Sequence, residues 1–567
     1  MKHPGLRVRY ALWLVTAVLL AAGVYAQAAR ADGAQHAAAT PQADLSLPAD
    51  ASPRADAPAQ ADASPQVRPT VQADSALQAD TTAIRDSVAS GVGPGAPPLT
   101  DTLAGGATSL QDLRADIDTP FHARLVSLLG MVTLLLIGWL LSVDRRSIPW
   151  RIILWGIALQ FVFALFILRT AAGEAIFATV NDVIVALLGF TVQGAQFLFG
   201  NLVWNQVPIG TGDPGNGLFT VEPGMVASTG AYFAFNVLPT IIFFSSLMTL
   251  LYYFGVMQLV VKGMAWVMMR TMRTSGAETL SATGNIFLGQ TEAPLLIKPF
   301  VGTMTMSELM AVMTGGFATV AGGVMAAFVG MLMAFFPDIA GHLLAASVMS
   351  APAALVFAKL MYPEKEEPVT RGELKVHVET PDANAIDAAA RGAGEGLQLA
   401  ANVGAMLLAF IALIALLNAL LGLVGEWTHL NDLLIGAGWM AEGSRITLEW
   451  LLGVLLAPLA WLMGVPWADA FTVGSLLGVK TAVNEFVAYL QLSTLLSGGA
   501  DLSPRSVVIA TYALCGFANF SSIAIQIGGI GGIAPHRRSD LARIGLRAMV
   551  AGSLAAFMTA TIAGMLV

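Results

Sequence analysis

Eight stretches of this chain are too long and too apolar to suit an ordinary water-soluble fold: residues 124–143, 152–168, 237–257, 309–336, 397–424, 448–463, 507–527 and 541–567. Each is near or above the roughly 20 residues that carry a helix across a bilayer. In hydrocarbon every backbone N–H and C=O must find a partner within the protein, which restricts such segments to helices. Composition agrees. Of 567 residues, 56% are hydrophobic and 12% charged, against about 25% charged in a typical soluble domain. The chain reads as an all-α polytopic membrane protein. Its formal net charge of -8 says little about partners, because much of the acid lies outside the apolar runs. The single cysteine, Cys515, excludes an internal disulfide and a thiolate metal cluster.

The first residues obey a different rule. Residues 1–31 have a basic start (Lys2, Arg7, Arg9), an apolar middle and small-residue sites at Val24-Tyr25-Ala26 and Ala29-Arg30-Ala31. This is the layout of a secretory signal peptide, with an uncleaved first helix as the alternative. Either places the next segment on the trans side of the membrane. That segment, residues 32–118, is rich in Ala, Asp, Pro, Gln and Ser and almost free of aromatics. It cannot bury enough apolar surface to offset its ordering entropy, so a disordered tether is expected.

Charge sets the expected orientation, since cytoplasmic loops collect Lys and Arg. Asp144-Arg145-Arg146 and Arg151 come directly after the first core helix. The loops at 362–379, with Lys365, Arg371 and Lys375, and at 534–547, with Arg537, Arg538, Arg543 and Arg547, are expected on the same inner side. The core starts outside, as an exported tether requires.

Some apolar segments carry Gly, Pro and polar residues where a plain span would not. These are residues 274–300, residues 466–495, and two helix middles, GGFATVAGG at 315–323 and GFANFSS at 516–522. Irregular backbone at membrane depth is tolerated only where protein or a water-filled cavity covers it. The order repeats. A polar hairpin with QTEAP precedes the first broken helix, and TAVNEFVAYL at 481–490 precedes the second. Paired re-entrant hairpins and interrupted helices are the pattern of a secondary transporter built from inverted repeats, with its site between the copies.

Two glutamates sharpen the reading. A carboxylate at the centre of a membrane helix costs about 2.5–3.5 kcal/mol, so it usually faces a cavity or a partner. Glu292 stands beside Gln290 and Thr291, and Glu485 beside Asn484; Asn519 and Ser522 lie in the second break. One reading makes the acids structural anchors for freed backbone; the other makes the whole set a ligand site. The donors and acceptors suit a neutral, hydroxyl-rich ligand. With no Arg or Lys among them, they suit phosphates badly.

At these residues the sequence resembles the concentrative nucleoside transporters. The resemblance runs from about residue 125 to 567 and is carried by NVLPTIIFFSSLMTLLYYFGVMQ, GNIFLGQTEAPLLIKPF, LMAVMTGGFATVAGG, LQLAANVGAML, GVPWADA, KTAVNEFVAYLQL and ALCGFANFSSIAIQIGGIGGIAPHRR. It is strongest toward bacterial sodium-coupled members and implies eight membrane helices, two re-entrant hairpins, inverted repeats with two broken helices, and a homotrimer. The tether falls outside the family pattern.

Carried over, the resemblance implies that Gln290 and Thr291 face the nucleobase, with Glu292 joining directly or through water. Val324 and Phe517 would line the base pocket, and Glu485, Asn519 and Ser522 would hold the ribose hydroxyls. Co-transported sodium would take the side chains of Asn285 and Thr319 and the carbonyls of Leu288, Thr319 and Val320. Thr319 replaces a serine of the family pattern, keeping the hydroxyl and adding a methyl. The implied partners are a nucleoside, sodium, the lipid bilayer of the cytoplasmic membrane and two further copies of the chain, with no nucleic acid.

The corresponding divisions are scaffold helices at 119–273, a first hairpin and repeat at 274–358, a cytoplasmic loop at 359–396, a scaffold helix and linker at 397–465, and a second hairpin and repeat at 466–567. Within the family, proton coupling through Glu292 or Glu485 is the alternative to sodium. An embedded enzyme is a remote alternative: the seven histidines form no metal or nucleophile pattern, and HExxH and GxSxG are missing. A passive channel is equally remote, because two opposed hairpins would block it.

Overall fold

A computed structural model describes residues 121–204, 206–211, 220–228, 233–372, 382–500 and 502–567. The expected signal segment and tether lie outside these residues. The first helices are α1 (Phe121–Leu140), α2 (Trp150–Arg169) and α3 (Ala171–Phe199). Strands β1 (Gln206–Thr211) and β2 (Thr220–Ser228) pair antiparallel, from Gln206 opposite Ser228 to Thr211 opposite Thr220. This hairpin is a small β exception in a helical chain, not foreseen from periodicity.

Helices α4 (Leu238–Phe254) and α5 (Val256–Met272) lead to the first hairpin, made of α6 (Gly276–Gly284), a turn, a 3-10 segment Ala293–Ile297 and the short α7 (Lys298–Val301). The first broken helix comes next as α8 (Met306–Ala318) and α9 (Gly322–Leu332), then α10 (Ile339–Met361). The long α11 (Ala385–Trp427), α12 (Leu430–Gly436) and α13 (Leu448–Leu462) precede the second hairpin, α14 (Trp467–Ala482) and α15 (Glu485–Ser497). The chain closes with α16 (Pro504–Leu514), α17 (Phe520–Ile533) and α18 (Arg538–Leu566).

Among the described residues, eight segments are long and apolar enough to cross a membrane. Their number matches the expectation, but their identity differs. Ala171–Val203 and Ile339–Met361 qualify although polar residues such as Asn181, Ser347 and Lys359 interrupt their apolar pattern. In α10 that polarity is harmless, because nearly the whole helix is packed inside protein. Residues 448–463 instead form a short helix bent by 119° against α14. Residues 507–527 are divided between α16 and α17. Helix α11 begins at Ala385, inside the segment expected to be a loop up to 396, with the Asn384 side chain accepting from the Asp387 N–H.

Contacts between helix ends define two faces. On the basic face Lys365 pairs with Asp144 at 2.8 Å, Arg151 donates to the Thr271 carbonyl at 3.1 Å, and Arg537 donates to the Met304 carbonyl at 2.6 Å. The Lys365 ammonium, through its hydrogen bond, holds the Asp144 carboxyl below the usual carboxylate range. The ends of α1, α5 and α10 and the starts of α2 and α18 therefore share this face. On the other face Arg505 donates to the carbonyls of Gly464 at 2.8 Å and Val567 at 3.0 Å, and Ser127 donates to the Met463 carbonyl at 3.2 Å.

The hairpins are oriented by their roots. The Gly276 N–H bonds the Thr370 carbonyl at 3.0 Å, which roots the first hairpin at the basic face. Asp469 accepts from Ser503 and Ser506 at 2.7 and 2.5 Å, which roots the second at the other face. Each broken helix starts from the face of its own hairpin. The two halves are thus inverted, as the order of motifs implied.

A buried polar knot fixes the root of the first hairpin. Two reciprocal caps, Ser275 with Glu278 and Thr305 with Glu308, start α6 and α8. Such S/T-x-x-E boxes satisfy otherwise unpaired N–H groups. The Ser275 hydroxyl crosses to Glu308 at 2.5 Å, and Lys359 of α10 meets Glu278 at 2.6 Å with both side chains 2% exposed.

Candidate functional site

The two breaks touch at their backbones. Helix α8 ends where Thr319 turns extended (φ -122°, ψ 170°), and α16 ends ahead of Gly516 at φ +147°. The Phe517 N–H then donates to the Thr319 carbonyl at 3.3 Å. A Cβ on Gly516 would lie 2.8 Å from the Phe317 carbonyl oxygen, so both its dihedral and its surroundings require glycine.

The hairpin tips reach the same place. Asn484 caps α15 by accepting from the Val487 N–H at 2.9 Å, and Asn519 caps α17 by accepting from the Ser522 N–H at 2.9 Å. Both helix N-termini, with their partial positive charge, point inward, and Glu485 is the first residue of α15. Asn519 Nδ2 donates to Glu485 Oε2 at 2.8 Å, and Gln290 Nε2 donates to Ser522 Oγ at 3.2 Å. One polar chain, Gln290 to Ser522 to Asn519 to Glu485, therefore links the two hairpins through the second break. All four residues are buried.

Val324 and Phe517 are buried at the starts of α9 and of the second break's exit, as apolar walls. Thr291 packs against α17, where a Cβ on Gly529 would meet its Cγ2 at 2.6 Å. Glu292 stands apart from the polar chain. Its carboxylate accepts from the Gly289 N–H at 3.2 Å, and the residue is exposed.

A second cluster offers oxygen atoms. Asn285 donates through Nδ2 to the Ser281 carbonyl at 3.0 Å, while its Oδ1 is buried with no hydrogen-bond partner. The Thr319 hydroxyl donates to the Gly315 carbonyl at 2.9 Å, keeping its lone pairs available. Gly315 joins the two residues, since a Cβ there would sit 3.3 Å from Asn285 Nδ2. An orphaned amide oxygen, a hydroxyl oxygen and the carbonyls of a broken helix are the donor set of a hard cation.

Comparison with known proteins decides the family. Residues 129–202 match the Na+ dependent nucleoside transporter N-terminus, 234–335 the nucleoside recognition (gate) family, and 342–564 the Na+ dependent nucleoside transporter C-terminus. An uncharacterized transporter of Haemophilus influenzae is 43% identical over 446 residues, covering 78% of this chain and 98% of that protein. Sodium/nucleoside cotransporter 1 of Mus musculus is 40% identical over 456 residues, 78% of this chain and 64% of its own. A solved structure of CNTnw in an inward-facing substrate-bound state is 42% identical, with a TM-score of 0.65, covering 78% of this chain and 98% of that one. This chain belongs to the sodium-dependent concentrative nucleoside transporter family. It is a transporter and not an enzyme, and its family couples transport to sodium.

Two residues beside the candidate site were not foreseen from sequence. Lys480, fully buried, donates to the Ala513 carbonyl at 2.7 Å and lies 5.8 Å from the Phe557 ring centroid. It stands on α14, five residues before Glu485 at the start of α15. A cation-free pocket therefore describes the touching side chains but not their surroundings. The signal was a lysine inside the apolar block KTAVNEF. Gln526 of α17 donates through Nε2 to Gln290 Oε1 at 3.1 Å. Its spacing from Ser522 put both on one helix face.

Proposed function

We propose that this transporter is a symporter that carries nucleosides into the cell across the cytoplasmic membrane, driven by the sodium gradient. The polar chain from Gln290 to Glu485 carries the reading. It brings two oppositely rooted hairpins to one buried point, where amides, hydroxyls and a carboxylate can replace the water around a nucleoside. A vicinal diol donates two hydrogen bonds and an ionised carboxylate accepts two; such charge-assisted bonds are about twice as strong as neutral ones. Glu485, Asn519 and Ser522 are therefore assigned to the ribose. Gln290 and Thr291 are assigned to the base edge, between Val324 and Phe517. Glu292, set back from that chain, joins through water.

Sodium, as co-substrate, is assigned to Asn285, Thr319 and the carbonyls of Leu288 and Val320. The tip that carries Gln290 and Thr291 begins at Asn285, so an ion held there orders the base-reading edge. Ion and nucleoside then tighten each other by the same factor. The orientation that puts the basic face in the cytoplasm obeys the charge rule and leaves residues 32–118 on the trans side. A homotrimer would cover the exposed apolar flank of α11, where Leu408, Leu413 and Leu416 stand out.

Uptake of a labelled nucleoside panel into proteoliposomes, with sodium and proton gradients imposed separately, tests the reading. Accumulation driven by sodium alone supports it. Accumulation driven only by protons removes the ion assignment, and no accumulation of any nucleoside removes the substrate.

A further inference from the structure

A backbone carbonyl in α8 sets the direction of a hydrogen-bond relay that ends in the pocket. Gln526 Nε2 lies 3.2 Å from the Met313 carbonyl oxygen and 3.1 Å from Gln290 Oε1. A carbonyl can only accept, so the amide nitrogen of Gln526 must face it. That nitrogen then donates to Gln290 as well, which must answer with its oxygen. The Gln290 amide is thereby turned so that its nitrogen donates to Ser522 Oγ, at 3.2 Å. Ser522 keeps its own hydroxyl hydrogen to donate.

The relay is built rather than incidental. Gln526 is fully buried. A Cβ on Gly316 would come within 2.8 Å of Gln526 Nε2 and 3.0 Å of Gln290 Cβ, so Gly316 makes the room that both amides occupy. The Gln526 Oε1 atom is buried with no hydrogen-bond partner. A polar group held in this way is costly unless it serves a purpose.

On the nucleoside reading, we propose that Gln526 is a positioning residue that locks the Gln290 amide in one orientation, and so sets which donor–acceptor pattern of a base edge the pocket accepts. An amide is nearly symmetric in shape, and a free one can flip to present oxygen and nitrogen in either order. Bases come in pairs that differ by this reversal. Uracil offers an N3–H donor and an O4 acceptor, and cytosine an N3 acceptor and an N4 amino donor. Hypoxanthine and adenine repeat the contrast at N1 and position 6. With Gln526 in place one member of each pair is matched; without it Gln290 adapts to both.

The test is competition binding of uridine, cytidine, inosine and adenosine to the purified full-length chain. Wild type is compared with Gln526→Met, which keeps the volume and removes the donor, and with Gly316→Ala, which disturbs the same contact from α8. Both variants should move the uridine-to-cytidine and inosine-to-adenosine affinity ratios toward one by about threefold or more, the scale of one neutral hydrogen bond. If the affinities for both members of a pair fall equally, or not at all, in both variants, the proposal is overturned, because a merely structural residue has no reason to change a ratio. Wild-type protein that binds no nucleoside would instead overturn the symporter reading beneath it.

Discussion

Asn519 and Glu485 meet at 2.8 Å, amide nitrogen to carboxylate oxygen, where the N-termini of α15 and α17 converge. Asn519 uses its other side-chain atom to cap its own helix. The residue thus holds the second break and the second hairpin tip together.

From this geometry, Glu485→Gln should weaken binding of ribonucleosides by about tenfold or more, in line with 1.5–3 kcal/mol for bonds to a charged group. Binding of 2′,3′-dideoxynucleosides should change far less, since they lack the diol. Competition against labelled uridine reads both. Equal losses would make Glu485 a structural anchor.

Asn285→Leu removes the orphaned Oδ1 while keeping about the same volume. The sodium concentration for half-maximal uptake should rise by about tenfold, the effect of losing roughly 1.4 kcal/mol. Folding should lose little more than the Ser281 hydrogen bond, about 1 kcal/mol. A sodium titration of uptake, set beside a thermal melt, separates the two.

Gly516→Ala should lower stability by about 1–3 kcal/mol from backbone strain alone. Uptake should fall further, because a Cβ at 2.8 Å from the Phe317 carbonyl oxygen pushes the two breaks apart. Ala substitution at Gly194, which has nothing within 4 Å of a Cβ, is the control.

Two ion pairs on the basic side should behave oppositely. Lys359→Met leaves Glu278 buried and unpaired, at a cost of about 3–5 kcal/mol; adding Glu278→Gln should recover much of it. Asp144→Asn breaks an exposed pair with Lys365 and should hardly move the melting temperature at neutral pH. The folded Asp144 pKa is depressed, so its small contribution is present above the unfolded value of about 3.9 and fades only as pH falls through the lower folded value. Melting curves from pH 3 to 7, about the range of carboxylate titration, check the sign.

Much of this architecture was legible because membrane helices announce themselves by length and apolarity, and breaks by glycine among polar residues. GFANFSS coincides with the break between α16 and α17, and QTEAP with the turn and 3-10 segment that follow α6. What sequence hid was packing. Helix α10 carries His342, Ser347 and Lys359 because other helices surround it, and its apolar run was therefore missed. Gln526 lay in a segment already marked as a broken helix but was not singled out, since its importance depends on where Gln290 and the Met313 carbonyl arrive from other parts of the chain. Lys480 was hidden for the same reason: adjacency to Glu485 across a hairpin turn is a property of the fold.

Sodium held at Asn285 and Thr319 is proposed to order the tip that presents Gln290. Uridine affinity of the purified chain, measured by calorimetry in sodium and in choline at equal ionic strength, tests this most directly. Binding at least about tenfold tighter in sodium is predicted, within the usual range of coupling between linked sites. Equal affinity in the two salts would contradict it.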